Sequence, residues 1–215
     1  MDEDIEIINN ETRKEKIINF FNKNKNKLIS VVVFIIIILL GFFSYQSYME
    51  GKKEKLANKY NSTVTNYESG NKLEVREIMK QIIYDKDKTY SPLALYFLVD
   101  NNLVKNSAEI NEYFDVIINE VKLEKEIKFL NIYKKALFNS ETKNENELLE
   151  IINPLLKSNS SWKSHGLYLM GEYLYANNQK QKAKEFYNQI INLEKGNINI
   201  KLKAQQRLSR DLGEK

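Results

Sequence analysis

Side chains that carry acid–base, nucleophilic or metal chemistry are scarce in this chain. Its 215 residues include one histidine, His165, and no cysteine. This composition excludes disulfides, iron–sulfur clusters, thiolate zinc sites and the common multi-histidine metal sites. The sequence contains no glycine-rich phosphate loop and no nucleophile elbow, and the paired acids Glu147 and Glu150 are typical of a solvated helix face. We therefore expect a protein that is not an enzyme, with no cofactor and no small-molecule substrate.

The residues best suited to a function are aromatic and lie at helical spacing. The candidate partner-binding residues are Tyr133, Leu137, His165, Tyr168, Glu172 and Tyr175. The last four recur at intervals of three, four and three residues, which places them on one face of a helix. Tyrosine supplies a large contact area at low entropy cost, so this face is a candidate surface for a segment of a partner protein. The alternative is that Tyr168 and Tyr175 pack against a neighbouring repeat.

Short amphipathic helices must position these residues. Apolar residues beyond the first fifth of the chain recur every three or four positions, and no window alternates with a period of two. The third of these helices is expected to open with Ser91 as N-cap and Pro92 at the first helical position. The later helices are predicted at about 107–121, 124–139, 145–156, 161–176, 179–193 and 199–212. Helices of this length with short loops favour stacked helical hairpins.

Self-similarity near 34 residues indicates that the hairpins are tetratricopeptide-like repeats. In the best copy the small residues Gly171 and Ala183 lie 12 positions apart, where two helices touch, and Tyr187 follows one helical turn later. Ala136 and Leu148 take the packing positions of Gly171 and Ala183 in the copy 35 residues earlier. A further upstream copy fits only with a spacing of 38 residues, so generic amphipathic helices without a true repeat stay an alternative. The terminal helix is interpreted as a cap on the stack.

The segment from Leu28 to Tyr45, LISVVVFIIIILLGFFSY, has no charged residue and no proline. As a helix it is about 27 Å long, close to the hydrocarbon thickness of a bilayer. The following GFFSYQSYMEG offers a poor signal-peptide cleavage site, which favours an uncleaved anchor. Six basic residues precede the segment and four lysines follow it over a similar distance. This bias predicts a cytoplasmic amino end and an exported carboxyl domain.

The expected architecture is all-α: a single N-terminal transmembrane helix, then stacked helical hairpins in a tetratricopeptide-like solenoid, with a C-terminal capping helix. The expected boundaries are a short cytoplasmic tail at 1–27, the anchor at 28–45 and an exported domain at 46–215. Within the tail we expect residues 1–12 to be disordered. Residues 13–24 have the pattern of a helix lying on the inner membrane face, or of a charged flank of the anchor. The net charge of +4 is too weak to indicate nucleic acid.

The order of these parts resembles the ancillary SecYEG translocon subunit family, whose periplasmic part is a tetratricopeptide-like domain. The resemblance is carried by EKIINFFNKNKNKL before the anchor and by NKYNSTVTNYESG, DKTYSPLALYFLVDNNL and SWKSHGLYLMGEYLYANNQKQKAKEFYNQII after it. It implies a bacterial inner-membrane adaptor whose partners are the SecYEG channel subunits and periplasmic chaperones. The alternative is a structural scaffold for cell-envelope assembly or division.

Overall fold

The computed structural model describes residues 2–68 and 70–213, with side chains from Arg13 onward. These residues are helical with connecting turns, and no strand occurs among them. They form two compact units that divide between Lys55 and Leu56. The helices of the described part are α1 (Asp2–Thr65), α2 (Lys72–Tyr84), α3 (Tyr90–Asp100), α4 (Ser107–Glu120), α5 (Lys125–Asn139), α6 (Glu145–Leu156), α7 (Lys163–Ala176), α8 (Lys180–Ile191) and α9 (Ile198–Asp211). The all-α prediction is confirmed.

The first unit is a single helical segment of α1. Every side chain from Ile29 to Glu50 is exposed, including those of the apolar run. The most apolar window has a mean hydropathy of 2.9, and by length and composition this helix is able to cross a membrane once. α1 begins at Asp2, so the expectation of disorder is wrong for the backbone of residues 2–12. No glycine or proline that would weaken a helix precedes Gly41. Acidic residues at a helix start, such as those at the start of α1, interact favourably with the helix dipole and so stabilise the helix.

The second unit is a stack of helices in chain order. Each helix from α2 to α9 packs against the next, and further contacts join α5 to α7 and α7 to α9. Contacts between neighbours and second neighbours are typical of stacked helical hairpins. The last turns of α1 belong to this unit, where Leu56 and Tyr60 pack on the core and the Tyr60 ring lies 5.6 Å from that of Tyr90.

Two apolar clusters form the core of this unit. The larger one extends from α2 to α7, and the smaller one joins α7, α8 and α9 around Tyr187. The five residues proposed to pack the repeats are all buried: Ala136, Leu148, Gly171, Ala183 and Tyr187. A Cβ atom at position 171 would lie 2.7 Å from Cε1 of Tyr187. The ring therefore fills the space that a glycine leaves open, and α7 and α8 approach closely at this point.

The start of α3 differs from the sequence-based expectation. The helix begins at Tyr90, so Ser91 is not its N-cap. The N-cap is Thr89, whose side chain makes no capping hydrogen bond. The Oδ1 atom of Asp87, two residues earlier, accepts hydrogen bonds from the backbone N–H groups of Thr89 and Tyr90, both at 2.8 Å. Ser91 is buried and its hydroxyl donates to the carbonyl oxygen of Ile82 at 2.7 Å. Pro92 still lies in the first turn, where its missing N–H breaks no helical hydrogen bond.

Candidate binding surface

The predicted face of α7 is partly covered by α9. The Arg207 guanidinium donates to both carboxylate oxygens of Glu172, at 2.8 and 2.5 Å, and to Asp211 at 2.9 Å. The hydroxyl of Tyr187 donates to the same Glu172 carboxylate at 2.7 Å. Burial opposes ionisation of Glu172, but the hydrogen bonds from Arg207 and Tyr187 outweigh it and hold the pKa of the carboxyl below its usual range. Glu172 therefore joins three helices of this chain.

The two tyrosines of the same face also contact neighbouring helices. The Arg207 guanidinium carbon lies 5.2 Å from the centroid of the Tyr175 ring, a cation–π distance. The ring of Tyr168 lies 5.8 Å from that of Tyr187. Both tyrosines keep part of their surface exposed. Tyr168 and Tyr175 therefore pack against neighbouring helices, as the alternative interpretation expected. Their role in partner binding stays a prediction.

His165 and Tyr133 meet at the junction of α5 and α7. The His165 ring lies 4.9 Å from the Trp162 ring and 5.9 Å from the Tyr133 ring. Tyr133 stacks on Trp162 at 5.8 Å with an interplanar angle of 24°. Burial raises the pKa of the Tyr133 hydroxyl, which therefore stays neutral. We name these three residues the His165 cluster. It brings together two of the predicted residues, His165 and Tyr133, with Trp162 at the start of α7.

Leu137, the sixth predicted residue, opens onto a groove between α3 and α5. Two adjoining cavities of about 340 and 200 Å³ form this groove, and both are bounded by Tyr96. Apolar side chains line most of the first cavity: Pro92, Leu93, Leu123, Ile127 and Leu130. The second is lined mainly by Val99, Phe114, Leu137 and Phe138, with Asp100 and Lys134 at its edge. We name the two cavities together the α3–α5 groove.

Three aliphatic side chains of this groove are unusually open to solvent. Leu93 is 38 % exposed, Ile127 40 % and Leu137 48 %. Singly exposed apolar residues are common on protein surfaces, but these three line adjoining concave cavities. A concave apolar surface of this kind is the usual form of a binding site for another molecule.

Tyr96 is held rigidly where the two cavities meet. Its hydroxyl donates to Oδ1 of Asn131 at 2.9 Å, and Nζ of Lys134 lies 4.1 Å from the centroid of its ring. Burial raises the pKa of Tyr96 to about 12, and the Asn131 hydrogen bond opposes this only in part. Asn131 is itself buried, and its amide group donates to the carbonyl oxygen of Ile127. The floor of the groove is therefore preorganised.

Leu93, Tyr96 and Ile127 were not predicted from the sequence. The stretch YSPLALYFLV of α3 could have indicated a binding surface, because it is apolar around its whole circumference. A short helix of this kind either is buried on all sides or leaves an apolar stripe for a partner. Because the upstream repeat fits only with an irregular spacing, the sequence did not indicate that α3 leaves an apolar stripe for a partner. Within the described part of the chain, no cluster of three or more acidic or histidine side chains is placed to hold a metal ion.

Comparison with protein families gives one match. The model of a tetratricopeptide repeat-like domain matches residues 19–207, from the segment before the apolar run of α1 to Arg207 in α9. The match includes the apolar segment 28–45 of α1 and the whole of α2 to α8. Neither the comparison with curated proteins nor the one with solved structures gives a match.

Proposed function

Because the chain belongs to the tetratricopeptide repeat-like domain family, we propose that it is a membrane-anchored binding module whose α3–α5 groove holds an apolar segment of a partner protein. A repeat domain of this kind indicates a role in protein–protein interaction and is typically non-catalytic. The observation that carries the proposal is the exposure of Leu93, Ile127 and Leu137 along the two adjoining cavities.

The expected binding energy is modest for each contact. Full burial of a leucine or isoleucine side chain is worth roughly 1.5–3 kcal/mol, so covering the exposed fraction of each of these three residues contributes about 1 kcal/mol. Tyr96 adds an aromatic surface whose orientation is already fixed, which lowers the entropy lost on binding. A groove of this size suits the side chains of one short segment and a reversible interaction.

The predicted residues of α7 are weaker candidates for the same role. Glu172 has its carboxylate occupied by Arg207 and Tyr187, and Arg207 also lies over Tyr175. A partner would have to displace these contacts before it reached the polar groups. Leu137 requires no such rearrangement, since it is already exposed at the second cavity.

For the location of the module, we propose the adaptor role that the family resemblance implies. The anchor at 28–45 lies in the bacterial inner membrane beside the protein-conducting channel, with the amino end in the cytoplasm and the helical domain in the periplasm. There the groove links emerging exported proteins to periplasmic chaperones. The proposal is supported by the basic residues that precede the apolar segment and by the exposed apolar surface of α1.

Copurification of the full-length protein from membranes tests this location. In one version residues 28–45 are replaced by an unrelated single-span anchor, while the helical domain is unchanged. We expect channel subunits to copurify with the natural protein and to be lost with the replaced anchor. Retention of division or envelope-assembly proteins by both versions, without channel subunits, would contradict the adaptor role and favour a scaffold.

Charge substitutions in the groove test the binding surface separately. Ile127→Glu and Leu137→Glu place a carboxylate where an apolar partner would dock, and both positions are open enough to accept it. Leu202→Glu is the matched control, because Leu202 is a 52 % exposed leucine on α9. We expect the two groove variants to lose the chaperone or exported chain while the control retains it. Equal retention by all three would show that the groove is not the binding surface.

A further inference from the structure

The only histidine and the only tryptophan of the chain lie in contact with each other. Their rings are 4.9 Å apart and tilted by 48°, at the point where α7 meets α5. Nδ1 of His165 is buried and has no hydrogen-bond partner in the described part of the chain. A buried polar atom without a partner is uncommon and calls for a physical explanation. No contact of the α3–α5 groove involves this ring.

We propose that the His165 cluster is a pH-sensitive joint between the α5–α6 and α7–α8 hairpins, in which uptake of a proton by the imidazole loosens the packing of α5 on α7. A neutral ring with its proton on Nε2 leaves an unpaired acceptor at Nδ1. Imidazolium would instead place an N–H donor and a full charge at this buried atom, which has no hydrogen-bond partner in the described part of the chain. Opening of the cluster would let water accept from that donor.

The groups around His165 favour the neutral form. Tyr133, from α5, presents a neutral ring, and Ile152 and Leu155 of α6 pack beside the neighbouring Gly166. Lys203 of α9 is the nearby cation, and its positive charge repels an imidazolium. Burial first and Lys203 second lower the pKa of His165 below its usual 6.5. Attraction between a cation and the Trp162 ring acts in the opposite direction, but the 48° tilt keeps the imidazole from lying flat over that ring.

A second contact joins α5 to the segment just before α7, and its titratable group, the Glu126 carboxyl, has a pKa in a lower range than that of His165. The Glu126 carboxylate of α5 accepts hydrogen bonds from both hydroxyls of Ser160 and Ser161, at 2.8 and 2.7 Å, just before α7. The Ser161 and Ser160 hydrogen bonds hold the pKa of Glu126 below 4.5. Glu126 therefore stays ionised while His165 titrates. Loosening is expected at the aromatic side of the joint, with the Glu126 contact intact as a hinge.

The sign of the effect follows from linkage. The unfolded chain takes up a proton on His165 near pH 6.5, whereas the folded chain resists it until a lower pH. The contribution of this residue to stability is therefore complete above about pH 6.5 and is lost as the pH falls toward the folded pKa. The joint is closed at neutral pH and opens in mild acid.

The test uses the full-length protein in detergent micelles with ¹³C-labelled histidine, since one histidine gives one set of ring signals. Ring shifts, the Trp162 emission maximum and the urea unfolding midpoint are measured between pH 4.5 and 8. His165→Gln and His165→Phe are the comparison variants: the first keeps a polar side chain and the second keeps the aromatic packing.

We expect the pKa of His165 to lie below its usual 6.5, because burial and the charge of Lys203 both disfavour the imidazolium. Trp162 emission should shift to the red with the same midpoint, and the urea midpoint should fall in parallel. Both changes should be absent from whichever variants fold. A titration at or above 6.5, an emission maximum that does not move through it, or a red shift that persists in a folded variant would each overturn the proposal.

Discussion

Gly171 and Tyr187 show how one absent side chain sets the distance between two helices. The Tyr187 ring is fully buried against the backbone of α7, and its hydroxyl is fixed by the Glu172 carboxylate one residue further along. The ring therefore has no freedom to move aside. The spacing between Gly171 and Ala183 predicted that two helices approach closely at Gly171. The atoms that fill the space beside this glycine belong to the Tyr187 ring.

Gly171→Ala is expected to destabilise the domain by about 1 kcal/mol. The added Cβ would lie 2.7 Å from Tyr187 Cε1, and overpacking of this kind costs about 1–3 kcal/mol, against a gain of about 1 kcal/mol in helix propensity. Urea unfolding of both variants measures the difference. Gly196→Ala is the control, because its Cβ would meet mainly the flexible end of Lys201. A stabilised Gly171→Ala would show that the ring can move.

Arg207→Ala is expected to loosen α9. The substitution removes two hydrogen bonds to Glu172 and leaves that half-buried carboxylate with the hydroxyls of Tyr187 and Tyr168 but without the arginine charge, a loss of about 2 kcal/mol. Hydrogen exchange should become faster in α9, and Arg207→Lys should restore little because lysine lacks the planar fork. Arg210→Ala is the control, since Arg210 is largely exposed and, among the residues that the structure describes, its hydrogen bonds go to Asp211. Unchanged α9 exchange in Arg207→Ala would refute the role given to this contact.

At the scale of elements, periodicity located the helices well and their ends less well. α6 begins and ends where the pattern of apolar residues predicts, and it has a capping box in which Asn144 and Glu147 bond reciprocally. Glu147 was expected to be only a solvated side chain. At α3 the expectation was wrong, because Thr89 is the N-cap and the Ser91 hydroxyl instead donates to the carbonyl oxygen of Ile82 in the preceding helix. A bond between two helices leaves no local sequence signal.

The joining of α3 to α5 is testable through Tyr96 and Asn131. Tyr96→Phe removes the donor to Asn131 and leaves a buried amide oxygen unpaired, which costs about 1–2 kcal/mol. Adding Asn131→Leu removes the orphaned oxygen, so the double variant should recover part of the loss. Chemical unfolding of the single and double variants measures the coupling. Additive losses would show that the two side chains act independently.

At the scale of the whole molecule, the apolar segment and the helical repeat follow from composition and period, whereas the binding surface does not. Residues 31–40 carry no polar side chain on any face, and by length and composition this helix is able to cross a membrane. The spacing of residues in the sequence predicted a binding face on α7, but it could not show that Arg207, 35 residues later, would cover Glu172. It also gave no prediction of a binding site on α3, because the α3–α5 groove depends on the separation of the two helices. Such separations arise from packing that no single helix encodes.

Photocrosslinking at Ile127 tests whether the α3–α5 groove holds the partner. A photoreactive phenylalanine analogue is placed at position 127 in the groove and, as the matched control, at Leu202 on α9, both in the full-length membrane-bound protein. We predict a discrete crosslink from position 127 to a chaperone or an exported chain, abolished by Leu137→Glu, and none of that product from position 202. Crosslinks of equal yield from both positions, or a product at position 127 that persists in Leu137→Glu, would show that the α3–α5 groove does not hold the partner.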